Sequence, residues 1–412
     1  MKVIHTSDLH IGKVLYGEEL TENHLAFFVQ LLRLVQEEKP DALLVSGDIY
    51  ETSNISVSSK RLFNDAMLRI HEALPSMTIV VISGNHDSAQ RIGVDEELWR
   101  LANVRIVTSI AETDDRKPDF DSHIIELKDA QGRTCGWLGA VPFAYEQNFP
   151  KPMAGMNRIA SFYKGLLQRM AQRNGAGLPL LLMGHLTVAG NLDFSGHKLD
   201  SIGGVETLPI ADFSDEFDYF ALGHIHHPQF VGGLERKVRY SGSPIAVSFD
   251  EDFEHSVSVV TFDEENRPHV REHRIEVPHR LVTVPSEPAD FVEALRAMRS
   301  YPWEGTEYVR LNVKQETAPS DAYERAAREL NEDSPLVSNR KKADESYFQN
   351  LKLLTVNYVR SKARSEATSL TDVSLSEFRA LTPLEVAKRS LGDDFSEEME
   401  ETFNEVLRMM EE

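Results

Sequence analysis

The sequence has 412 residues, of which 41 % are hydrophobic and 27 % are charged, as expected for a globular protein of two to three domains. Its single cysteine, Cys135, excludes an internal disulfide framework and fits a reducing compartment. No apolar run reaches the ~18 residues of a membrane span, and no apolar leader opens the chain, so we expect a cytoplasmic protein with no membrane partner.

The net charge is −22, because 66 acidic residues outnumber 44 basic ones. Proteins that hold nucleic acid by themselves place Lys and Arg against the phosphates, so this balance argues against a chain that grips DNA unaided. A basic stretch at 337–364 could face DNA or could be an ordinary solvated surface. The pattern leaves both interpretations open.

Short apolar runs that alternate with helical patterns predict buried strands in the first part of the chain. These strands are Val3–Thr6, Ala42–Ser46, Ile79–Ser83, Leu180–Met183 and Tyr219–Leu222. Runs with little helix between them predict the further strands Ile124–Leu127, Thr134–Val141, Val238–Tyr240 and Val257–Phe262. We therefore predict an α/β fold over residues 1–277, a sandwich with a mixed sheet and helices outside.

From residue 278 the pattern changes to a smaller α+β unit, predicted over 278–365. Its expected elements are the strand Arg280–Val284, the helix Ala289–Met298, the strand Tyr308–Val313 and the helix Ala322–Leu330. A polar linker, Ser361–Thr371, leads into a C-terminal helical module at 366–412. In its last helix, apolar residues recur every three or four positions from Phe395, which is typical of a helix with one apolar face.

Each buried strand of the first part is followed by residues that can bind a metal. The groups are Asp8-Leu9-His10, Gly47-Asp48, Gly84-Asn85-His86-Asp87, Gly184-His185 and Gly223-His224-Ile225-His226. The carboxyl ends of parallel strands meet at one edge of a sheet, and residues two apart in an extended segment share a face. One such group alone usually forms a turn. Five groups at five strand ends predict a metal site.

In this order, the five groups resemble the motifs of the calcineurin-like metallophosphoesterase superfamily. The resemblance implies two metal ions, one bound by Asp8, His10, Asp48 and His226, and the other by Asp48, Asn85, His185 and His224. The mixed nitrogen and oxygen ligands suit divalent first-row ions, and we expect Mn²⁺. By the same resemblance, His86 is the catalytic histidine, which stabilises the transition state or protonates the leaving oxygen. Asp87 could orient His86 or cap the helix that begins near Ser88.

The residues after Asp48 narrow the resemblance to one branch of the superfamily. Protein phosphatases place an arginine shortly after the Gly-Asp motif, and 49–53 contains none. This resembles the DNA-repair nuclease branch, which usually has aspartate at the position of Glu51, a departure that we expect to touch no metal ligand. The resemblance implies an exonuclease on double-stranded DNA and an endonuclease on single strands and hairpins. A small-molecule phosphodiesterase or phosphatase and an inactive scaffold are the alternatives.

The same resemblance implies partners for the chain. The C-terminal helices would dock on the coiled coil of an ATPase, in a heterotetramer, and the 278–365 unit would be a capping domain that contacts DNA. A homodimer would form through helices at about 58–73 and 88–101. The first of these has Leu62, Ala66, Ile70 and Leu74 on one face. Both helices could equally pack on their own sheet.

Overall fold

The computed structural model describes residues 1–152, 157–190, 192–193, 208–209, 213, 216–232, 237–304, 306–330 and 351–360. The predicted linker Ser361–Thr371 and the predicted C-terminal helices lie outside the described residues, as does most of the basic stretch at 337–364. Within the described part of the chain, no helix is long and apolar enough to cross a membrane.

The described residues form these elements in chain order. The strands are β1 (Lys2–Thr6), β2 (Val14–Leu15), β3 (Glu18–Glu19), β4 (Ala42–Ser46), β5 (Thr78–Ile82), β6 (Val104–Val107), β7 (Ile124–Lys128), β8 (Thr134–Ala140), β9 (Leu180–His185), β10 (Val188–Ala189), β11 (Leu208–Pro209), β12 (Tyr219–Gly223), β13 (Gln229–Phe230), β14 (Val238–Tyr240), β15 (Ser256–Phe262), β16 (Pro268–Arg274), β17 (Leu281–Ala289), β18 (Tyr308–Lys314) and β19 (Lys352–Val359). The α-helices are α1 (Thr21–Glu38), α2 (Val57–Ala73), α3 (Ala89–Gly93), α4 (Glu96–Arg100), α5 (Arg158–Arg173), α6 (Phe291–Ser300) and α7 (Ala322–Glu329).

Two six-stranded sheets make up the larger part of the described chain. The first has the order β16-β15-β1-β4-β5-β6, in which β1, β4, β5 and β6 are parallel. The second has the order β13-β14-β12-β9-β8-β7, in which β14, β12, β9 and β8 are parallel. Antiparallel strands flank these parallel sets, namely β15 and β16 in the first sheet and β13 and β7 in the second.

The two sheets pack face to face, and helices cover their outer faces. Apolar side chains fill the space between the sheets, among them Val3, Leu44, Val80, Leu138 and Met183. Helices α1 and α2 cover the outer face of the first sheet, and α5 covers that of the second. Because the central strands are buried on both faces, they have continuous apolar sequences instead of alternating ones. The predicted α/β sandwich and its buried strands are confirmed.

Two of these helices begin at side chains that cap them. The Ser56 hydroxyl accepts a hydrogen bond from the backbone N–H of Ser59 at 3.0 Å, at the start of α2. The Asn157 side chain accepts from the N–H groups of Ile159 and Ala160 at the start of α5. Such caps satisfy backbone donors that the first helical turn leaves without partners.

A smaller unit follows, built on the parallel sheet β17-β18-β19. Helices α6 and α7 pack on it through small and apolar residues, including Ala294, Met298, Ala322 and Ala326. The predicted strand–helix–strand–helix order is present. Strand β19 was not predicted, because Lys352 and Asn357 interrupt its apolar pattern and its partner strand, β18, is distant in the chain.

Side chains of both units hold the smaller unit against the first sheet. The Asn23 amide donates to the backbone carbonyl of His279 at 2.8 Å and accepts from the backbone N–H of His279 at 3.0 Å. The Arg310 guanidinium contacts Asp250, with 2.6 Å between Nη1 and Oδ1. The backbone between the units is therefore fixed by bonds on both sides of the amide.

The face of α2 predicted to form a dimer is not available for that purpose. Ala66 and Ile70 are buried in the core beneath the first sheet, and Leu62 and Leu74 pack against the same core. The second predicted helix is divided into α3 and α4. For α2, the alternative that this face packs on its own sheet is therefore the one observed.

Candidate metal centre

The five predicted groups lie at the same end of the sandwich. Asp8, Asp48 and Asn85 follow β1, β4 and β5 of the first sheet, whereas His185 and His224 lie at the ends of β9 and β12 of the second. Both sheets therefore supply side chains to one site. The carboxyl ends of parallel strands are the expected place for such a site in an α/β fold.

One cluster is formed by Asp8, His10 and His226, whose possible ligand atoms lie within 4.8 Å of one another. The Nε2 atoms of His10 and His226 are 3.1 Å apart. The Asp48 carboxylate lies beside this cluster, with Oδ2 3.8 Å from His10 Nε2. These residues are the four that the resemblance assigns to the first ion.

A second cluster forms around Asn85. Its Oδ1 lies 2.9 Å from His185 Nε2 and 3.1 Å from His224 Nδ1. His185 Nε2 is also 3.4 Å from Asp48 Oδ2, the same oxygen that faces His10. One carboxylate oxygen of Asp48 therefore faces both clusters, as a bridging ligand must.

The donor set fits divalent cations. Asp8, His10, Asp48 and His185 are all at most 2 % exposed, and both carboxylates are among them. Burying carboxylates beside several converging imidazoles is costly unless cations or protons compensate them. Oxygen and imidazole nitrogen donors together are typical ligands of divalent first-row metals. The clustered side chains thus have the chemistry of a divalent metal site.

Two glycines leave the space that the site needs. A Cβ at Gly84 would lie 2.1 Å from Asp48 Oδ1, and one at Gly47 would lie 2.3 Å from His185 Nδ1. Gly47 also has a φ of +87°, which residues with side chains rarely adopt. Any larger residue at either position would displace a candidate ligand.

The backbone at four candidate ligands is itself unusual. Asp8, His10 and Asp48 have φ of 52°, 46° and 49°, and His224 has φ of 100°. Such conformations cost about 1–3 kcal/mol each and persist only where the surroundings fix them. Here the Asp8 N–H donates to the Gly47 carbonyl and the His10 N–H to the Asp48 carbonyl, both at 3.0 Å.

Two glutamates hold histidine rings of the first cluster from behind. Glu51 Oε2 lies 2.9 Å from His10 Nδ1, and Glu251 Oε1 lies 2.7 Å from His226 Nδ1. A carboxylate on one ring nitrogen orients the other nitrogen toward a metal and increases its basicity. The expectation that Glu51 touches no candidate ligand is therefore wrong, because its longer side chain reaches the His10 ring.

The two interpretations of Asp87 are both wrong. Its carboxylate accepts hydrogen bonds from the backbone N–H groups of Ile49, Tyr50 and Gly84 at 2.8–3.0 Å. It therefore ties the loop after β4 to the loop after β5, and the helix that follows has no side-chain cap bond. Burial and the nearby Asp48 charge raise the pKa of Asp87 to about 6.

His86 lies at the open side of the first cluster. Its Nδ1 donates to the Glu51 carbonyl at 2.8 Å, and its backbone N–H donates to Asp48 Oδ1 at 2.9 Å. Its ring centre is 4.9 Å from that of His10. With Nδ1 used by a carbonyl, Nε2 is the ring nitrogen that can act on a substrate.

Charge is strongly coupled between Asp48 and His185. Burial lowers the pKa of His185, but the Asp48 charge outweighs it and raises the pKa to about 9. Burial raises the pKa of Asp48, but His185 and His10 lower it more, so its pKa lies well below the usual range. Without metal, these two residues form a buried ion pair.

A family model described as calcineurin-like phosphoesterase matches residues 1–228, more than half of the chain and all candidate ligands. The chain belongs to this family. Among its relatives are proteins named as the SbcD subunit of the nuclease SbcCD. The one from Rhodobacter capsulatus is 34 % identical over 63 % of this chain and 66 % of its own length. Those from Escherichia coli K12 and Staphylococcus epidermidis are 30 % and 31 % identical, each over 61 % of this chain.

The matches span 66 %, 62 % and 63 % of the lengths of these three relatives, so the chain covers less than two thirds of each. Membership of the calcineurin-like phosphoesterase family, together with the clustered Asp and His side chains, indicates a site for divalent metal. Sequence analysis did not identify the supporting role of Glu251. Its only signal was its position in the Ser-Phe-Asp-Glu run after the last histidine group.

Proposed function

We propose that this chain is the nuclease subunit of an SbcCD-type complex, a cytoplasmic enzyme of DNA repair, recombination and replication. It hydrolyses phosphodiester bonds as an exonuclease on double-stranded DNA and as an endonuclease on single strands and hairpins. The observation that carries this proposal is the position of Asp48, whose carboxylate faces two clusters of candidate ligands at 3.4 and 3.8 Å. The names of the relatives favour DNA as the substrate.

In this proposal, the residues divide into two ligand sets that share Asp48. One ion, proposed to be Mn²⁺, is held by Asp8, His10, Asp48 and His226, and a second by Asp48, Asn85, His185 and His224. When bound, such a pair activates water and neutralises the phosphate. The chain itself fixes the ligands through Glu51, Glu251 and the Ser46 carbonyl, which accepts from His185 Nδ1 at 2.9 Å.

His86 is proposed as the residue that acts on the leaving group. The Glu51 carbonyl holds its Nδ1–H, so the ring presents Nε2 beside Asp48 and His10. From there a protonated Nε2 can give its proton to the leaving sugar oxygen or stabilise negative charge on it. Its contacts to Glu51 and Asp48 fix both the ring and the backbone that carries it.

The proposal extends to domains and partners. We infer a nuclease domain at 1–277, a DNA-contacting capping domain at 278–365 and a module at 366–412 that binds the coiled coil of an SbcC-type ATPase in a heterotetramer. A homodimer is also proposed, now through the exposed apolar residues Val94, Leu98 and Leu101, which are 68–86 % exposed. Sedimentation of Leu98→Glu beside the unchanged chain tests the dimer.

The experiment that tests the proposed function is a Mn²⁺-dependent cleavage assay on hairpin and blunt duplex DNA. It is run with and without the ATPase, and beside a chromogenic phosphodiester. The unchanged chain should cleave DNA, and Asp48→Asn should not. Cleavage of the chromogenic diester alone would favour a small-molecule phosphodiesterase. Bound metal without hydrolysis of either substrate would favour the scaffold.

A further inference from the structure

A cavity of about 190 Å³ lies beside the candidate metal centre, where the chain leaves β8. Aromatic rings of Phe143, Tyr145, Phe149 and Tyr163 line it, and His185 forms part of its wall. Phe149 and Tyr163 are almost completely buried and form its base, whereas Tyr145 is 55 % exposed at its edge. An aromatic cavity thus opens directly next to a candidate ligand.

The backbone fixes this cavity relative to the ligands. The Phe143 N–H donates to the Ser83 carbonyl at 2.9 Å, immediately before the Gly84–Asn85 group. The Phe143 ring centre is 6.3 Å from that of His185 and 5.3 Å from that of Tyr145. Because His185 Nε2 lies 3.4 Å from Asp48 Oδ2, the cavity is only one side chain away from the proposed bridging carboxylate.

The chemistry of the lining favours a flat, uncharged ring over a phosphate. Among the described residues that line the cavity, none is Lys or Arg, and Glu146 places an acid at its edge. A phosphate would meet repulsion there without a compensating cation. Aromatic rings, in contrast, bind any nucleobase through its π face, whatever the sequence.

We propose that this cavity is a base subsite, which receives the nucleobase adjacent to the scissile phosphate and stacks it on Tyr145 and Phe143. The inference rests on the proposed nuclease function and adds to it a substrate contact that needs no positive charge. It thereby offers an acidic chain a means of holding a nucleotide at the metal centre. Stacking of one base on an aromatic ring changes affinity by roughly 5- to 150-fold.

The test combines a protein change with a substrate change. Tyr145→Ala removes the exposed ring, and Tyr145→Phe, the matched control, keeps the ring and removes only the hydroxyl. Mn²⁺-dependent cleavage is measured on hairpin DNA with a normal base or an abasic site next to the scissile bond. Separate substrates carry the abasic site on the 5′ and 3′ sides. Thermal melting verifies that the variants are folded.

We expect Tyr145→Ala to reduce kcat/KM about 5- to 150-fold on normal DNA. On one abasic substrate it should have almost no further effect, because the contact is already absent, and Tyr145→Phe should behave like the unchanged chain. An equal loss on normal and on both abasic substrates would overturn the base subsite while the nuclease function stood. Absence of cleavage by the unchanged chain on every DNA would overturn both.

Discussion

The guanidinium of Arg310 lies over the aromatic ring of Phe249, with Cζ 5.3 Å from the ring centre. Its Nη2 donates to the Phe249 carbonyl at 3.1 Å, and its Nη1 contacts Asp250 at 2.6 Å. The next residue is Glu251, whose carboxylate orients His226. The smaller unit is thus connected to a candidate metal ligand through one short segment.

From this relationship we predict that Arg310→Ala weakens binding of the first ion. Changing a group that orients a ligand typically costs 10- to 100-fold in metal affinity, and Arg310 is one step further away, so we expect up to about tenfold. Calorimetric titration with Mn²⁺ measures it. The control is Arg133→Ala, whose exposed side chain pairs with Asp129 far from the site. Equal affinity in Arg310→Ala and the control would contradict the connection.

His86→Ala should separate metal binding from hydrolysis. If His86 acts on the leaving group, the variant keeps both ions but loses about 10²- to 10⁴-fold in kcat, the usual contribution of a positioned acid or base. Elemental analysis of the purified variant, beside its turnover of DNA, distinguishes the two roles. Loss of an ion together with activity would show that His86 is a ligand.

Asp48→Asn should weaken both metal sites, because one carboxylate faces both clusters. Asn85→Ala should weaken mainly the second site, since the Asn85 amide contacts only His185 and His224 among the candidate ligands. Mn²⁺ titration of the two variants gives the number of sites and the affinity of each. Two sites of unchanged affinity in Asp48→Asn would rule out a bridge.

Metal affinity should increase with pH up to about pH 9. His185, with its pKa raised to about 9 by the Asp48 carboxylate against the effect of burial, is protonated at neutral pH in the metal-free protein. An ion must displace that proton, so each pH unit below 9 weakens binding by up to about tenfold. Calorimetry in buffers of different ionisation enthalpy counts the protons released. No proton release at pH 7 would contradict a protonated His185.

The strands and candidate ligands could be predicted from sequence because both depend on local pattern. Buried parallel strands have continuous apolar runs, and Asp48 or His185 directly follows or ends such a run. The contacts of Glu51, Asp87 and Glu251 could not be predicted in this way. Each carboxylate binds a group on a different segment, so its partner depends on how the loops meet in space and not on the residues beside it.

The centre also lies across the seam between two sheets. Asp8, Asp48 and Asn85 belong to the first sheet, and His185 and His224 to the second, while the apolar layer between the sheets lies behind them. Bound ions would therefore act as a clasp that closes one end of the sandwich, much as a rivet joins two plates. Chelation would release that end first, so the enzyme would lose the alignment of its two halves before it lost its fold.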